Sequence, residues 1–312
     1  MILSLLFVLL TIYPGQDKDI WNLPEFKSEQ GKYTEDWDTL SRLYNVPQWW
    51  RDAKFGAWSH WDPQSAAEFG DWYSRGMYIQ GHPQYEYHLQ HYGHPSEYGY
   101  KDLCNDWVID KWDPEELMKL YIDMGARYFV AMGNHHDNFD CWDSEYQPWN
   151  SVNVGPKKDI VGIWKEVADR YDIPFGIGFH ATPARTYGQF MTVRYRGDRT
   201  GPYEGVPYDA VLTEEDGRGK WWDGLDPVDL YGPVHHDGRN SLDTPFANQF
   251  MWRVDDAIRK YQPDMIYFDD HAGDSQIDLG INMGLGSLTT QIIANFYNIA
   301  LKRQEGNREV VA

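Results

Sequence analysis

The chain has 312 residues, 42% of them hydrophobic, so it can bury a sizeable core and is globular rather than disordered. Its formal net charge of −20 argues against nucleic acid and anionic membrane surfaces as partners, because both require clustered Lys and Arg. Aromatic residues make up 16% of the chain and include 15 Trp, which suits either an aromatic core or flat faces for sugar rings.

The N-terminus is an apolar run that ends before Pro14 and Gly15. At about a dozen residues the run is too short to span a bilayer, and it suits the h-region of a signal peptide. We therefore predict a signal peptide over residues 1–18, no membrane span, and a secreted or periplasmic location, or a lysosomal one in a eukaryote. Cys104 and Cys141 either pair in an oxidising compartment or remain free in the core.

The first predicted strand is the short aromatic run from Phe55 to Trp61. The long polar stretch after it is rich in Gly and Pro, which predicts loops with short helices. Four histidines of that stretch have mixed spacing and are predicted to be exposed to solvent: His82, His88, His91 and His94. Asp113 and Pro114 then indicate a helix N-terminus, and Gly125 indicates its end. The apolar stripe of that helix is predicted to contain Leu117, Leu120, Tyr121 and Met124.

Three more strands alternate with three more helices along the chain. The strands are predicted over residues 127–133, 174–180 and 265–269, and the helices over residues 160–171, 246–261 and 288–303. Residues 181–245 are irregular, and a stretch of that length within a compact domain usually forms functional loops. Strands that alternate with helices of about a dozen residues predict parallel βα units, in either an open doubly wound sheet or a (β/α)8 barrel.

Polar residues lie at the C-terminal end of each of the four predicted strands. They are His60, His135 with His136, His180, and Asp269 with Asp270. In a barrel, active sites form at this carboxyl end of the strands, whereas no Gly-x-Gly-x-x-Gly segment supports a nucleotide-binding sheet. We therefore predict an α/β protein with a TIM-like (β/α)8 barrel. Because such a barrel needs eight strands in about 250 residues, we expect residues 19–312 to hold only its front part, without the last strands.

A metal site and a sugar site are both compatible with these residues. Adjacent residues of an extended segment point to opposite faces, so His135 and His136 could share one ion only if the chain turns sharply between them. A metal-dependent hydrolase that draws on the histidine cluster stays open as an alternative. A glycoside hydrolase needs two carboxyl groups, partners for the sugar hydroxyls and an aromatic face. Asp269 supplies one carboxylate, and the segment 71–73 supplies an acceptor and a stacking face.

Several short segments resemble, in their shared order, the motifs of family 29 α-L-fucosidases. They are FGAWSHW at 55–61, DWY at 71–73, WDP at 112–114, GARY at 125–128, HHDNF at 135–139, PD at 263–264 and YFD at 267–269. The resemblance extends from about residue 46 to residue 270. Each motif alone is weak, and the common order carries the resemblance.

The resemblance implies a retaining exo-glycosidase that releases α-linked L-fucose, or a close relative, from fucosylated oligosaccharides or polysaccharides without a metal or other cofactor. Asp269 would be the catalytic nucleophile. The residues expected to bind the substrate are His60, Asp71, Trp72, Tyr73, His135, His136, His180 and Tyr267. A sugar-binding protein of the same fold that has lost catalysis is the other alternative.

The sequence departs from the family pattern at three places. Asp71 stands where many members have Glu, and Asp270 stands where a small Gly often follows the nucleophile. The general acid/base of the family is a Glu downstream of the nucleophile, and no motif here identifies it. Glu305 and Glu309 are the glutamates after Asp269, and both lie in a polar tail. The C-terminal β-sandwich of the family is not expected in this chain.

Overall fold

A computed structural model of the chain describes residues 22–181, 197–232, 244–269, 288–303 and 309–312. The predicted signal peptide over residues 1–18 lies outside the described residues, as do Asp270 and Glu305. Within those described ranges, no helix combines the length and the apolarity that crossing a bilayer requires.

Four parallel strands form one sheet, in the order β1-β2-β3-β4. They are β1 (Ala57–Ser59), β2 (Phe129–Asn134), β3 (Phe175–Phe179) and β4 (Met265–Phe268). All four were predicted, and their alternation with helices confirms the α/β class. A doubly wound sheet reverses its strand order at a switch point, whereas a barrel adds each new strand beside the last one. The consecutive order is that of the barrel.

The sheet is strongly coiled, so strands that are not neighbours approach each other across its concave face. The rings of Trp58 on β1 and Tyr267 on β4 have centroids 5.0 Å apart. An apolar cavity of about 710 Å³ lies beside these two rings. Val311 extends the sheet beyond β4, since its N–H donates to Asp264 O at 2.9 Å and its carbonyl accepts from Ile266 N at 2.9 Å. This parallel bridge holds the position of a fifth strand in the same consecutive order.

The helices lie before, between and after the strands. Those of the described residues are α1 (Trp37–Leu43), α2 (Gln48–Ala53), α3 (Tyr73–Gly76), α4 (Pro83–His91), α5 (Tyr100–Asp106), α6 (Pro114–Asp123), α7 (Ile160–Arg170), α8 (Pro227–Tyr231), α9 (Thr244–Tyr261) and α10 (Leu288–Leu301). Short 3-10 helices cover Pro63–Ala67, Asp209–Val211 and Glu214–Gly217. The core behind the sheet is aromatic, as in the contact of Trp164 on α7 with Phe129 on β2, whose centroids are 4.5 Å apart.

The predicted start of α6 is confirmed, but its predicted buried stripe is wrong in part. The Asp113 side chain caps the helix by accepting from Glu116 N at 2.8 Å. Leu120 and Met124 are 51% and 63% exposed, whereas Met118 is buried. The face that α6 buries is set by its packing on α7, which rotates the buried side toward Met118. A periodic pattern with several apolar positions does not by itself choose among adjacent faces.

Candidate active site

The carboxyl ends of the four strands bring together residues that are far apart in the chain. His60 follows β1, His135 and His136 follow β2, His180 follows β3, and Asp269 follows β4. The ring centroids of His60 and His135 are 4.5 Å apart, and those of His135 and His180 are 4.9 Å apart. Parallel strands in consecutive order place their carboxyl ends on one edge, which is why the four positions converge.

The histidine cluster is buried at its centre and open at one side. His135 and His136 are almost completely buried, His180 is 7% exposed, and His60 lies at the surface. A cavity of about 330 Å³ opens beside His60 and Asp71. That volume is at the small end of the range for ligand pockets and suits a single sugar ring. Of the cluster, His60 lines this cavity, and its ring contacts that of the buried His135. We refer to the open side of the cluster as the cleft.

The chain turns sharply after β2, and this turn places His135 and His136 side by side. β2 ends at Asn134, residues 136 and 137 form a turn, and Asn138 adopts a left-handed φ of 65°. The two rings have centroids 4.1 Å apart, and His136 Nδ1 is 3.4 Å from His135 Nε2. The premise that these histidines follow one another in an extended segment was therefore wrong. The sharp turn that shared metal binding would need is present.

Trp72 forms a second wall of the cleft. It adopts a left-handed φ of 59° just before α3, and its ring stacks on His136 with centroids 4.0 Å apart and planes 25° apart. The same ring lies edge-on to His180 at 6.5 Å. Asp71 is exposed, and one of its carboxylate oxygens accepts from the Trp72 N–H at 2.8 Å. The structure thus brings Asp71 and Trp72 to the predicted cleft.

Asp269 lies at the mouth of the cleft, directly after β4. Its N–H donates to Phe179 O at 3.2 Å, and its Oδ2 is 3.6 Å from His180 Nδ1. The Asp269 side chain is 45% exposed, so a substrate can reach the carboxylate. Tyr267 is 37% exposed on the same strand, and the pKa of its hydroxyl is raised by partial burial and by the Asp269 carboxylate.

Burial favours the neutral form of His135 and His180. Burial lowers the pKa of His135 well below its usual value, and the neighbouring His136, His180 and His60 lower it further. Burial also lowers the pKa of His180, although the Asp269 carboxylate opposes that change. A neutral imidazole has one donor and one acceptor nitrogen, so each ring can serve a sugar hydroxyl in either direction.

Sequence reasoning missed Asp62, whose carboxyl group lies beside His135 of the cluster. This carboxyl is buried, and its Oδ2 is 3.4 Å from His135 Nδ1, where Gln64 Nε2 also contacts the ring. Burial raises the pKa of Asp62 well above its usual value, and the nearby Asp137 carboxylate raises it further. The Asp62-Pro63 pair is a recognisable cap for the 3-10 helix over 63–67, and Asp62 does accept from Gln64 N at 2.9 Å. The capping motif does not predict the contact of Asp62 with His135, which is distant in the sequence.

The structure does not bring Tyr73 into the cleft. Its side chain is fully buried, and its hydroxyl is 3.1 Å from His88 Nδ1. The predicted exposure of His88 and His94 is wrong, because both are completely buried. His88 shares one face of α4 with Tyr85, and its Nε2 donates to Tyr98 O at 2.8 Å. His88 is covered by Tyr73 and Tyr98, and His94 by Tyr203 and Tyr208, contacts that their spacing in the sequence does not reveal.

The burial of His88 predicts a loss of stability in acid. Burial lowers the pKa of His88 from 6.5 to about 4, so the unfolded chain binds this proton more readily than the folded one. The free energy of unfolding is therefore unaffected by His88 above the pKa that this histidine has in the unfolded chain. It decreases as the pH falls from that value toward the pKa of His88 in the folded chain. Between pH 7 and pH 4, the free energy of unfolding of the wild type should fall by about 3 kcal/mol more than that of His88→Gln.

Urea denaturation at a series of pH values measures this difference. His91 lies on the same helix and is exposed, so His91→Gln is a matched control that should follow the wild-type pH dependence. Parallel pH curves for the wild type and His88→Gln would contradict the assignment.

Comparison with known proteins places these features in a family context. A family model described as alpha-L-fucosidase matches residues 23–305. The human tissue alpha-L-fucosidase is 32% identical over 148 residues, which are 47% of this chain and 31% of that protein. The alpha-L-fucosidase of Branchiostoma floridae is 30% identical over 154 residues, with 47% and 33% covered. The chain thus matches about a third of the length of these curated relatives.

Solved structures share the fold. The crystal structure of Thermotoga maritima alpha-fucosidase in complex with fucose matches with a TM-score of 0.58 and 24% identity, covering 89% of this chain and 56% of that one. Another structure of the same enzyme matches with a TM-score of 0.56 and 23% identity. At this level of identity the likeness establishes the common α/β barrel fold.

Proposed function

The chain belongs to the alpha-L-fucosidase family, and on this premise we propose that it hydrolyses α-L-fucosides with retention of configuration, with Asp269 as the nucleophile. The observation that carries the proposal is the position of the Asp269 carboxylate. It lies at the mouth of the cleft, 3.6 Å from His180, on the same edge as the histidine cluster. Its 45% exposure leaves room for a sugar carbon to approach.

The walls of the cleft are suited to a small sugar. His60, His135, His136 and His180 come from three separate strand ends and offer ring nitrogens to hydroxyl groups. Trp72 adds an aromatic face that can pack on the apolar side of a sugar ring. We propose these residues and Asp71 as the binding set. Tyr267 is proposed as a contact at the mouth, whereas Tyr73 is left out of the binding set because its side chain is buried against His88.

In the proposed reaction, a carboxylate oxygen of Asp269 attacks the anomeric carbon of an α-fucoside. The bond from that carbon to the leaving oxygen breaks, and its electron pair departs with the leaving group, which takes up a proton. The resulting glycosyl-enzyme has the β configuration. Water then attacks the same carbon from the opposite face, releases the Asp269 carboxylate and gives α-L-fucose. Two inversions therefore produce net retention.

The proton donor for the leaving group is a second carboxyl group in this type of reaction. Glu309 is not suited to that role. Val311 bridges to the first residues of β4, so Glu309 lies near the amino end of β4, whereas Asp269 follows its carboxyl end. An aryl fucoside with a stable phenolate as leaving group needs little proton donation, so it tests the nucleophile independently of the acid.

The proposal is tested with 4-nitrophenyl α-L-fucoside and the full chain. We expect release of nitrophenolate, and proton NMR at early times should show α-L-fucose as the first product. A 2-deoxy-2-fluoro-fucosyl fluoride should add the mass of one fluorosugar to the peptide that contains Asp269. A β-configured first product would contradict retention. Binding of L-fucose in calorimetry without any turnover would favour a sugar-binding protein instead.

We also propose, from the sequence alone, that residues 19–312 belong to one catalytic barrel domain and that residues 1–18 direct export. The apolar run before Pro14 supports the second statement. Expression in a secreting host, followed by mass spectrometry of the mature N-terminus, tests it. Retention of Met1 on the exported or cytoplasmic product would contradict a cleaved signal.

A further inference from the structure

We infer that His135, His136 and His180 also form a binding site for a divalent transition-metal ion such as Zn²⁺, and that the ion and the sugar exclude each other. The three histidines each offer a ring nitrogen, and these nitrogens lie within 4.8 Å of one another. The statement about exclusion rests on the proposed function, because it assumes that the same ring nitrogens bind the sugar. The statement about metal binding stands on the geometry alone.

Two ring nitrogens of the cluster have the spacing that a shared metal ion requires. His136 Nδ1 and His135 Nε2 are 3.4 Å apart. Two ligands of a tetrahedral zinc ion, each about 2.0–2.1 Å from the metal, are separated by roughly 3.4 Å. The turn after β2 therefore presents one edge of a tetrahedral site. A ring nitrogen of His180 completes the group, in which the ligand atoms of all three histidines lie within 4.8 Å of one another.

The other ring nitrogens of the three histidines lie near polar groups. Histidines that bind metals usually place their second nitrogen against a carboxylate, a carbonyl or another polar group, which fixes the tautomer and the ring orientation. His135 Nδ1 faces the buried Asp62 carboxyl at 3.4 Å, and His180 Nδ1 faces Asp269 at 3.6 Å. His136 Nε2 is 3.5 Å from Ser74 Oγ. All three rings thus have an outer polar partner in addition to the nitrogen offered inward.

The ligand type indicates the class of ion. Imidazole nitrogens suit Zn²⁺, Cu²⁺ and Ni²⁺, whereas Ca²⁺ and Mg²⁺ require mainly oxygen ligands. Three protein ligands leave a fourth position open toward the cleft. An ion there would occupy the ring nitrogens that a sugar hydroxyl needs, so it should act as a competitive inhibitor rather than as a cofactor.

A second possible group shares one of these ligands. His60, Asp62 and His135 also offer atoms within 4.8 Å of one another. The two groups share His135, so substitutions at their other members show which group holds the ion. His136→Gln and His180→Gln distinguish them, since only the proposed site uses these residues, while His60→Gln should leave it intact.

Isothermal titration calorimetry with ZnCl₂ and the full chain tests the binding. We expect one ion per chain, and we expect His136→Gln and His180→Gln each to weaken binding by tenfold or more. His91→Gln removes an exposed histidine outside the cleft and should bind as the wild type does. On the wild type, Co²⁺ should give the intense visible bands of a tetrahedral site, a readout that does not depend on the folding of any variant. Absence of stoichiometric binding, or wild-type affinity in both variants, would overturn the site.

Competition is measured separately from turnover. L-Fucose at saturation should raise the apparent Kd of Zn²⁺ by tenfold or more in the same calorimeter, and a chelator should leave fucoside hydrolysis intact. If Zn²⁺ binds but fucose does not compete, the metal site stands and the proposed sugar pocket fails. If a chelator abolishes hydrolysis and Zn²⁺ restores it, the ion is a cofactor and the inferred exclusion is overturned.

Discussion

Asp269→Gly is expected to lower kcat on 4-nitrophenyl α-L-fucoside by about 10³-fold or more, while the chain remains folded. The substitution removes the only group proposed to form the covalent intermediate. The Asp269 side chain is 45% exposed and lies at a strand end, so its loss leaves no large cavity. Binding of L-fucose should persist, because the histidines and Trp72 remain in place.

Sodium azide separates the role of a nucleophile from a general electrostatic role. In Asp269→Gly, azide can enter the space that the carboxylate leaves and attack the anomeric carbon in a single step. The product should be β-L-fucosyl azide, identified by NMR, and the rate should rise with azide concentration. Glu309→Gln is the matched control and should retain wild-type kcat, because Glu309 lies near the opposite end of β4. Turnover near the wild-type rate in Asp269→Gly would remove Asp269 from the mechanism.

Arg253→Met is expected to lower the free energy of unfolding by about 3–5 kcal/mol. Arg253 on α9 is completely buried and forms two contacts with the Asp140 carboxylate, one of them between Nε and Oδ2 at 3.0 Å. Its Nη1 also donates to Asn138 Oδ1 at 2.6 Å. Burial already raises the pKa of Asp140, and Arg253 opposes that effect. Removal of the guanidinium would leave a buried carboxyl without its cation.

The same substitution should also impair the site, because Arg253 holds the turn that carries His135 and His136. Arg259→Met is the matched control on the same helix. Arg259 is 48% exposed and pairs with Asp255 and Glu29, so its loss should cost no more than about 1 kcal/mol. Replacement of both buried partners, in Arg253→Met with Asp140→Leu, should recover part of the lost stability. Equal losses in urea unfolding for the two arginine variants would contradict this account.

Local sequence patterns were sufficient to predict the elements and their order. Hydrophobic runs of strand and helix length identified β1 to β4 and the helices α6, α7, α9 and α10, and Asp113-Pro114 identified the start of α6. Parallel βα units then implied that His60, His135, His180 and Asp269 would meet at one edge. These inferences succeed because they depend on spacings of a few residues and on a general property of parallel sheets.

Other features depended on contacts between distant parts of the chain. The burial of His88, His94 and Tyr73 and the exposure of Leu120 could not be inferred from spacing. The pairing of Asp62 with His135 joins residues from different strand ends, and the pair of Arg253 with Asp140 spans 113 positions. A local sequence pattern cannot predict a contact between residues that are so far apart in the chain.

The sequence by itself therefore determined the α/β class, the strand ends that carry polar residues, and the candidate nucleophile. The polar strand ends and the family resemblance favoured a barrel over a doubly wound sheet, and the consecutive strand order in the tertiary structure confirmed it, since both folds are built from the same local units. Only the tertiary structure decided that His135 and His136 face each other. An extended chain would separate their rings, and the turn at residues 136–138, which α8 and α9 hold in place through Asn138 and Arg253, brings them together.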